Sequence, residues 1–445
     1  MRVQQSVPVL PSFGRAFHAA CVFVIGTLAT TTLAAPPHWY GPLTSGGEPR
    51  VPRANTLPDY YEAEDGGILV DGMYFPDRAT YVASDAFLQG GRRCGYVTPD
   101  PVLDPAATLR SQSDCSFTQT VIRPEYATEN GPVYRIPVVV HVLQRTNGIG
   151  FLSEAQVRSQ IDILNEDFRA LPGTNGSLGA DVGIEFFLAT EDPDGNPTTG
   201  ITYTTNNTFY NDGGSYWNSL SWDPERYMNI YTNSASGNLG YVPIVTPGSS
   251  SDRVVVLWES FGRNAPFAPY DLGRTGTHEV GHYLGLDHTF GGGCGGSDCY
   301  RSGDLLCDTN AQESPTFGCP SNPTSCASSD PKDNYMDYSF DACMTRFTPE
   351  QANRMRCTLM FYRPDLAVVV PTACSPADLT TTGNAEGEPD GVVDLSDFSY
   401  YLSIWSSSDT AADVTTTGTA SGIPDGTVDL SDFSFYLSLW SAGCP

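Results

Sequence analysis

His278, Glu279, His282 and His288 are the residues of this 445-residue chain whose types and spacing point most directly to chemistry. Residues 278–288 read His-Glu-Val-Gly-His-Tyr-Leu-Gly-Leu-Asp-His. Positions i and i+4 of a helix share one face, so His278 and His282 can grip one metal ion. Glu279 lies between them, placed to act as a base on a metal-held water. Gly285 permits a left-handed turn that a residue with a Cβ resists. The chain can then reverse, and His288 can close the site from a third direction. Three protein ligands leave a fourth position for water, which distinguishes a catalytic zinc site from a structural one. His-Glu-x-x-His alone also arises by chance on surface helices. The extended form with Gly and a third His is far more specific.

The elements that must position this motif read as an α/β pattern. Val133 to Leu143 is a β-branched run typical of a buried strand. Ser153-Glu154-Ala155-Gln156 has the form of a capping box. Val157, Ile161, Leu164 and Phe168 then fall on one helical face. Gly183 to Ala189, Tyr227 to Tyr231 and Val254 to Trp258 read as further strands, with the motif helix after them.

Length suggests two to four domains, and a hydrophobic content of 40% is enough for a packed core. Residues 1–35 have the order of a signal peptide: Arg2 and Arg15, an apolar run from Ala16 to Ala29, then small residues ending Leu33-Ala34-Ala35. The run is shorter than the roughly 20 residues a membrane span needs. The alternative is an anchor; no other segment is long and apolar enough, so no span is expected in the mature chain. The 12 cysteines fit an oxidising, extracellular compartment. A net charge of −28 argues against nucleic acid and anionic membranes as partners. It suits either a solubility bias or calcium binding, which needs hard carboxylate oxygens. Residues 36–125, rich in Pro, Gly and polar residues with weak periodicity, read as a pro-segment. Residues 126–366 carry the α/β pattern and the motif.

The extended zinc motif resembles that of the metzincins, and Asn334-Tyr335-Met336-Asp337-Tyr338 resembles their Met-turn. Finer matches resemble the pappalysin family. They are Tyr270 to Thr277 before the motif, Gly303-Asp304, Cys307-Asp308-Thr309 and Gly318-Cys319-Pro320 after it, and Asp341-Ala342-Cys343-Met344. Ile136-Pro137-Val138 with His141, and Leu164 to Phe168, extend the match across about 126–363. Asn310 departs from the Pro of many relatives. The resemblance implies a metzincin α/β (α+β) fold with a twisted mixed sheet, zinc as cofactor, and peptide-bond hydrolysis. Zinc lowers the pKa of a bound water to about 7, and Glu279 would take that proton and pass it to the leaving amine. By resemblance Tyr338 would stabilise the oxyanion, Met336 would shape the floor, Cys319 would pair with Cys343, and structural calcium is allowed, with Asp304 and Asp308 as weak candidates.

Arg92-Arg93-Cys94-Gly95 resembles the cysteine switch of pappalysin-type zymogens. A Cys94 thiolate could fill the place meant for water until the pro-segment is cut. The alternative is a Cys94–Cys115 disulfide. Setting Cys21 and Cys94 aside leaves ten of the 12 cysteines, enough for five bridges, and Cys374 with Cys444 brackets the last segment. Arg110 and Arg123 are candidate activation cuts.

Residues 374–445 hold a repeat offset by 35 positions: Asp378 to Gly383 returns at Asp413 to Gly418, and Asp394 to Ser399 at Asp429 to Ser434. Asp390, Gly391, Asp394 and Asp397 match positions 5, 6, 9 and 12 of an EF-hand-type loop, as do Asp425, Gly426, Asp429 and Asp432. Asp378 and Asp413 are candidate first ligands, with a stretch looped out. Phe398, Tyr401, Leu402 and Trp405, then Phe433, Tyr436, Leu437 and Trp440, have helical spacing. The pair resembles a GC-type dockerin, implying a small all-α module that binds calcium and docks on a partner protein or the cell surface. The alternative is an acidic hairpin without calcium.

Two functions follow. The first is a secreted zinc endopeptidase acting on protein or peptide substrates, made as a zymogen and targeted by its C-terminal module. The second is an inactive, calcium-dependent binding or anchoring protein. The intact Glu279 and three histidines favour the first. A zinc esterase or amidase is separable from it by substrate profiling.

Overall fold

The structure, a computed structural model, describes residues 60–63, 65–88, 90, 92–96, 126, 128, 132–243, 247–294, 299, 303–370, 375–380, 389, 392–418 and 422–443. The expected signal segment, Cys115, Asp390, and the Cys374–Cys444 pair lie outside these residues.

The central sheet is built around β4 (Val133–Gln144), whose β-branched run supplies side chains to cores on both faces. Its length lets it take a different partner along each stretch. β5 (Ile184–Leu188) runs parallel to Tyr134–Val138, and β6 (Ile201–Thr205) to Val140–Gln144. β7 (Met228–Asn233) runs parallel to Val138–Val142, and β9 (Val254–Leu257) to Ile230–Asn233. β8 (Gly240–Tyr241) pairs antiparallel with β9, and β12 (Val368–Val370) antiparallel with the start of β4. The mixed sheet agrees with the fold expected from the sequence.

One face of the sheet is covered by α3 (Glu154–Phe168), which buries Val157, Ile161, Leu164 and Phe168 as its spacing predicts. Ser153 caps α3 through the Gln156 N–H, but the capping box is only half formed. The Gln156 amide instead donates to the Phe261 and Arg263 carbonyls, tying α3 to the loop after β9. Helix α6 (Arg274–Tyr283), which carries His278, Glu279 and His282, and helix α7 (Pro349–Tyr362) complete this core. Every residue of α6 is buried, polar ones included, so their positions are set by specific partners and not by solvent. Short helices α4 (Asn207–Tyr210) and α5 (Trp217–Leu220) flank the other face. A two-stranded hairpin, β10 (Thr324–Ser325) with β11 (Ser328–Ser329), lies in the loop region before the Met-turn.

The weak periodicity of residues 36–125 understates the order of their described part. β1 (Tyr60–Glu62), β2 (Ile68–Val70) and β3 (Met73–Phe75) form an antiparallel sheet, followed by α1 (Arg78–Val82) and α2 (Asp85–Leu88). These elements are too short for a period to show. Tyr60, Ile68, Val70, Tyr81 and Phe87 nevertheless share one core with Leu143, Tyr231, Val255 and Leu257 of the main sheet. Arg78 forms ion pairs with Glu62 and Glu259, and Arg145 donates to the Glu62 and Ala63 carbonyls.

The C-terminal repeat gives α8 (Leu395–Ser406) and α9 (Leu430–Ala442), each opened by a capping box in which Asp394 or Asp429 is the N-cap. Tyr401 and Tyr436 stack with ring centroids 3.7 Å apart. The expected apolar face is corrected at two equivalent positions: Leu402 and Leu437, the latter 37% exposed, stay out of the core, while Ile404 and Leu439 join it.

Candidate active site

His278 and His282 project from α6 one turn apart, as their spacing requires. The His278 Nδ1 lies 2.6 Å from the Tyr335 carbonyl, and the His282 Nδ1 lies 2.8 Å from the Leu286 carbonyl. A carbonyl can only accept, so both Nδ1 atoms carry the proton and both Nε2 atoms present lone pairs. Gly285 takes φ 91° and turns the chain back. A Cβ there would also sit 2.5 Å from the Thr358 hydroxyl. The turn brings His288 Nε2 to 3.1 Å from His282 Nε2, which is itself 3.1 Å from His278 Nε2.

Burial keeps all three rings neutral. It pushes His282 down to about 3 and holds His278 and His288 well below the usual imidazole range. Neutral rings facing one another with buried lone pairs are mutually repulsive unless a cation lies between them. Cys94 Sγ belongs to the same cluster, whose four donor atoms lie within 4.8 Å of one another. Three imidazole nitrogens and a thiolate fit a tetrahedral zinc ion.

Glu279 is fully buried beside this cluster. Its Oε2 lies 3.3 Å from Cys94 Sγ and its Oε1 has no hydrogen-bond partner. Burial pushes its carboxyl up to about 8. Gly240 of β8 leaves it room, since a Cβ there would stand 2.6 Å from the Glu279 Cγ. Met336 fills the floor, its sulfur where a Cβ on Gly281 would come within 2.5 Å. The Tyr338 hydroxyl reaches the Cys94 carbonyl at 3.4 Å.

The segment Arg92–Tyr96 occupies the cleft. Gly95 N–H donates to the Gly240 carbonyl at 2.9 Å, and Leu239 N–H to the Arg92 carbonyl at 3.3 Å. Tyr96 stacks on His282 with centroids 4.0 Å apart and donates to Asp287. Cys94 is a free thiol, so the alternative disulfide is not formed in this structure.

Two functional candidates escaped the sequence reading. The Arg93 side chain is wholly buried, its guanidinium 4.0 Å from the Asp341 carboxylate and 5.0 Å above the Tyr270 ring. Asp341 uses Oδ2 to accept from the Leu272 and Arg274 N–H groups, and its Oδ1 has no hydrogen-bond partner. Both residues stood in motifs quoted above, yet nothing in their spacing joins positions 248 residues apart. Asp167 is the second, considered below.

The Cys319–Cys343 bridge that the family resemblance implied is present, with Cys294–Cys326 and Cys299–Cys307. Asp308 accepts from the Thr348 hydroxyl and the Glu350 N–H, while Asp304 accepts from Thr309 and the Leu306 N–H through Oδ1 alone and its buried Oδ2 has no hydrogen-bond partner. In the repeat, Asp397 accepts from the Leu379, Thr380 and Asp394 N–H groups, and Asp432 from those of Val414, Thr415 and Asp429. Asp394 and Asp429 accept from Ser396 and Ser431 N–H. Asp413 reaches Asp425 and Gly426 N–H across the looped-out stretch, and Asp425 accepts from Thr417 and Thr427 N–H. Asp378 is buried near Asp397 in the first repeat. Among the described residues, these acids do not gather as a metal donor cluster.

The family model described as pregnancy-associated plasma protein-A matches residues 215–360. Extracellular metalloprotease 1 of Coccidioides posadasii is 33% identical over 279 residues, spanning 60% of this chain and 88% of that one. The chain belongs to this family of metalloproteases. An extracellular metalloprotease of Verticillium alfalfae is 36% identical over 243 residues, spanning 51% of this protease and 76% of its own length. Among solved structures, a promirolysin mutant of Tannerella forsythia is 33% identical, with a TM-score of 0.48, covering 64% of this protease and 96% of that chain.

Proposed function

We propose that the protein is a secreted zinc endopeptidase held latent by its own pro-segment. The observation that carries this reading is the convergence of three neutral imidazole lone pairs beside an underused buried carboxylate. His278, His282 and His288 would hold the zinc in the mature enzyme. Bound zinc supplies a Lewis acid for a peptide carbonyl and lowers the pKa of water. Glu279 takes a proton from the attacking water and delivers it to the departing amine. Tyr338, whose hydroxyl already addresses a main-chain carbonyl in the cleft, donates to the oxygen on which charge develops. The backbone groups of Leu239 and Gly240 pair with an extended chain, as they do with Arg92 and Gly95 here.

Latency follows from Cys94, whose sulfur stands among the metal-binding nitrogens. Arg93 marks a buried pocket floored by the spare oxygen of Asp341. Once the pro-segment leaves, that pocket favours a basic side chain of the substrate. Secretion is supported by the signal-like N-terminus and the extracellular relatives. No helix among the described residues is long and apolar enough to cross a membrane. For the C-terminal repeat the reading is a docking module: Leu395 and Leu430, equivalent in the two halves, stand 69% and 68% exposed. Calcium binding there is supported by Asp413, which reaches Asp425 and Gly426 as a first-position carboxylate would.

The test is digestion of a denatured protein by the chain freed of its pro-segment, with and without a zinc chelator. Cleavage that the chelator stops supports the reading. Cleavage that persists without zinc overturns it, and no cleavage at all moves the weight to the anchoring-protein alternative.

A further inference from the structure

Asp167 is a costly residue where it stands. It is the penultimate residue of α3, fully buried, and a negative charge in a last helical turn opposes the helix dipole. A buried carboxylate needs partners, and its partners here are specific. Its Oδ2 accepts from the Thr277 hydroxyl at 2.6 Å and stands 3.3 Å from Arg274 Nε. Its Oδ1 accepts from the Tyr335 hydroxyl at 2.8 Å.

The two arms lead to the same histidine. Thr277 and Arg274 belong to α6, and Thr277 directly precedes His278. Tyr335 belongs to the Met-turn, and its carbonyl is the group that fixes His278 Nδ1 at 2.6 Å. One carboxylate therefore ties the helix that carries His278 to the turn that orients its ring. It also holds the segment bearing Met336 against Gly281. No other residue described joins these two elements through both a helix side chain and the tyrosine of the turn.

We propose that Asp167 is a positioning residue for the metal site, setting the direction of His278 Nε2 through Tyr335 on one side and Thr277 on the other. The inference rests on the zinc reading above. Groups that hold a metal-binding histidine by its far nitrogen typically govern metal affinity by about 10- to 100-fold.

The test uses the full chain and zinc itself. The zinc dissociation constant is measured by competition with a chelating dye, together with thermal unfolding of the metal-free chain. Asp167→Asn, acting one group further out than the Tyr335 carbonyl, is expected to weaken zinc binding by up to about 10-fold, the lower end of that range. Tyr335→Phe, which removes only the hydroxyl and keeps the carbonyl, tests one arm and covers the case in which Asp167→Asn fails to fold. It is expected to weaken binding by several-fold, and the double variant by less than the product of the two. If both variants melt earlier but bind zinc as the parent does, Asp167 is a fold-stabilising carboxylate only and the proposal is overturned. If the parent chain itself binds no zinc, the metal reading fails first, a distinguishable result.

Discussion

The cleft and the C-terminal repeat are both rich in side chains that bind metals, and they use them in opposite ways. In the cleft the donor atoms face one another: three Nε2 atoms and the Cys94 sulfur meet in one buried space while the far nitrogens of His278 and His282 are held by carbonyls. In the repeat the carboxylates face the backbone. Asp397 and Asp432 each accept three N–H groups, and Asp394 and Asp429 cap helices. Lone pairs aimed at each other require a cation to be stable. Lone pairs aimed at N–H groups are already satisfied, and the carboxylate shapes the loop with or without an ion. A calcium ion in the repeat would have to share those oxygens.

The sharpest way to break the comparison is at Glu279. Glu279→Ala leaves the histidines in place, so zinc content should be unchanged while kcat/KM falls by about 10²- to 10⁴-fold. Peptide hydrolysis by the activated enzyme and metal analysis on the same sample check both halves. A variant that keeps its activity would remove Glu279 as the base.

The next effect is expected in the Arg93 pocket. Asp341→Asn keeps an oxygen for the Leu272 and Arg274 N–H groups and turns an amide toward the basic side chain. Losing one member of a buried charge pair costs about 2–5 kcal/mol. Hydrolysis of peptides with arginine in the pocket should therefore fall about 30-fold or more, by the same estimate. Peptides with an uncharged residue there should change little. Equal losses for both would show that Asp341 serves only to cap α6.

In the repeat the matching experiment is Asp432→Asn. The amide can no longer accept from Val414, Thr415 and Asp429 together, and hydrogen bonds to a charged group contribute about 1.5–3 kcal/mol. Unfolding of the C-terminal module should shift by about that amount in calcium-free buffer. A shift seen only with calcium present would mean that the carboxylate serves the ion first.

This contrast also explains what could be read in advance. His278, His282, His288, Glu279 and Gly285 were legible because one helix turn and one reversal fix their geometry locally. The strands were legible because β-branched runs such as Val133 to Leu143 stay buried in any packing. The Arg93–Asp341 pocket and the Asp167 tether were not, since each joins distant segments through tertiary contact. The module of residues 60–88 was hidden for a different reason: three-residue strands carry no period, and their order comes from Tyr60, Tyr81 and Phe87 packing against the main sheet. Leu402 and Leu437 were misplaced because helical spacing gives a face but not its centre.

The smallest effect concerns the symmetry of the repeat. Trp405 Nε1 donates to the Asp429 carbonyl at 3.0 Å, and Trp440 Nε1 to the Asp394 carbonyl at 2.7 Å. Tyr401 and Tyr436 make a second reciprocal pair, to the Ala412 and Ala377 carbonyls. Each half thus closes the other through the carbonyl of its helix N-cap. Trp405→Phe and Trp440→Phe should each cost about 1 kcal/mol for the lost hydrogen bond, plus a similar term for lost ring area. The two costs should agree, because the two halves present equivalent partners. Denaturant unfolding of the two variants reads this directly. A large inequality would show that one half is the folded template and the other its dependant, and the duplicated exposed pair Leu395 and Leu430 would then no longer be equivalent as docking points.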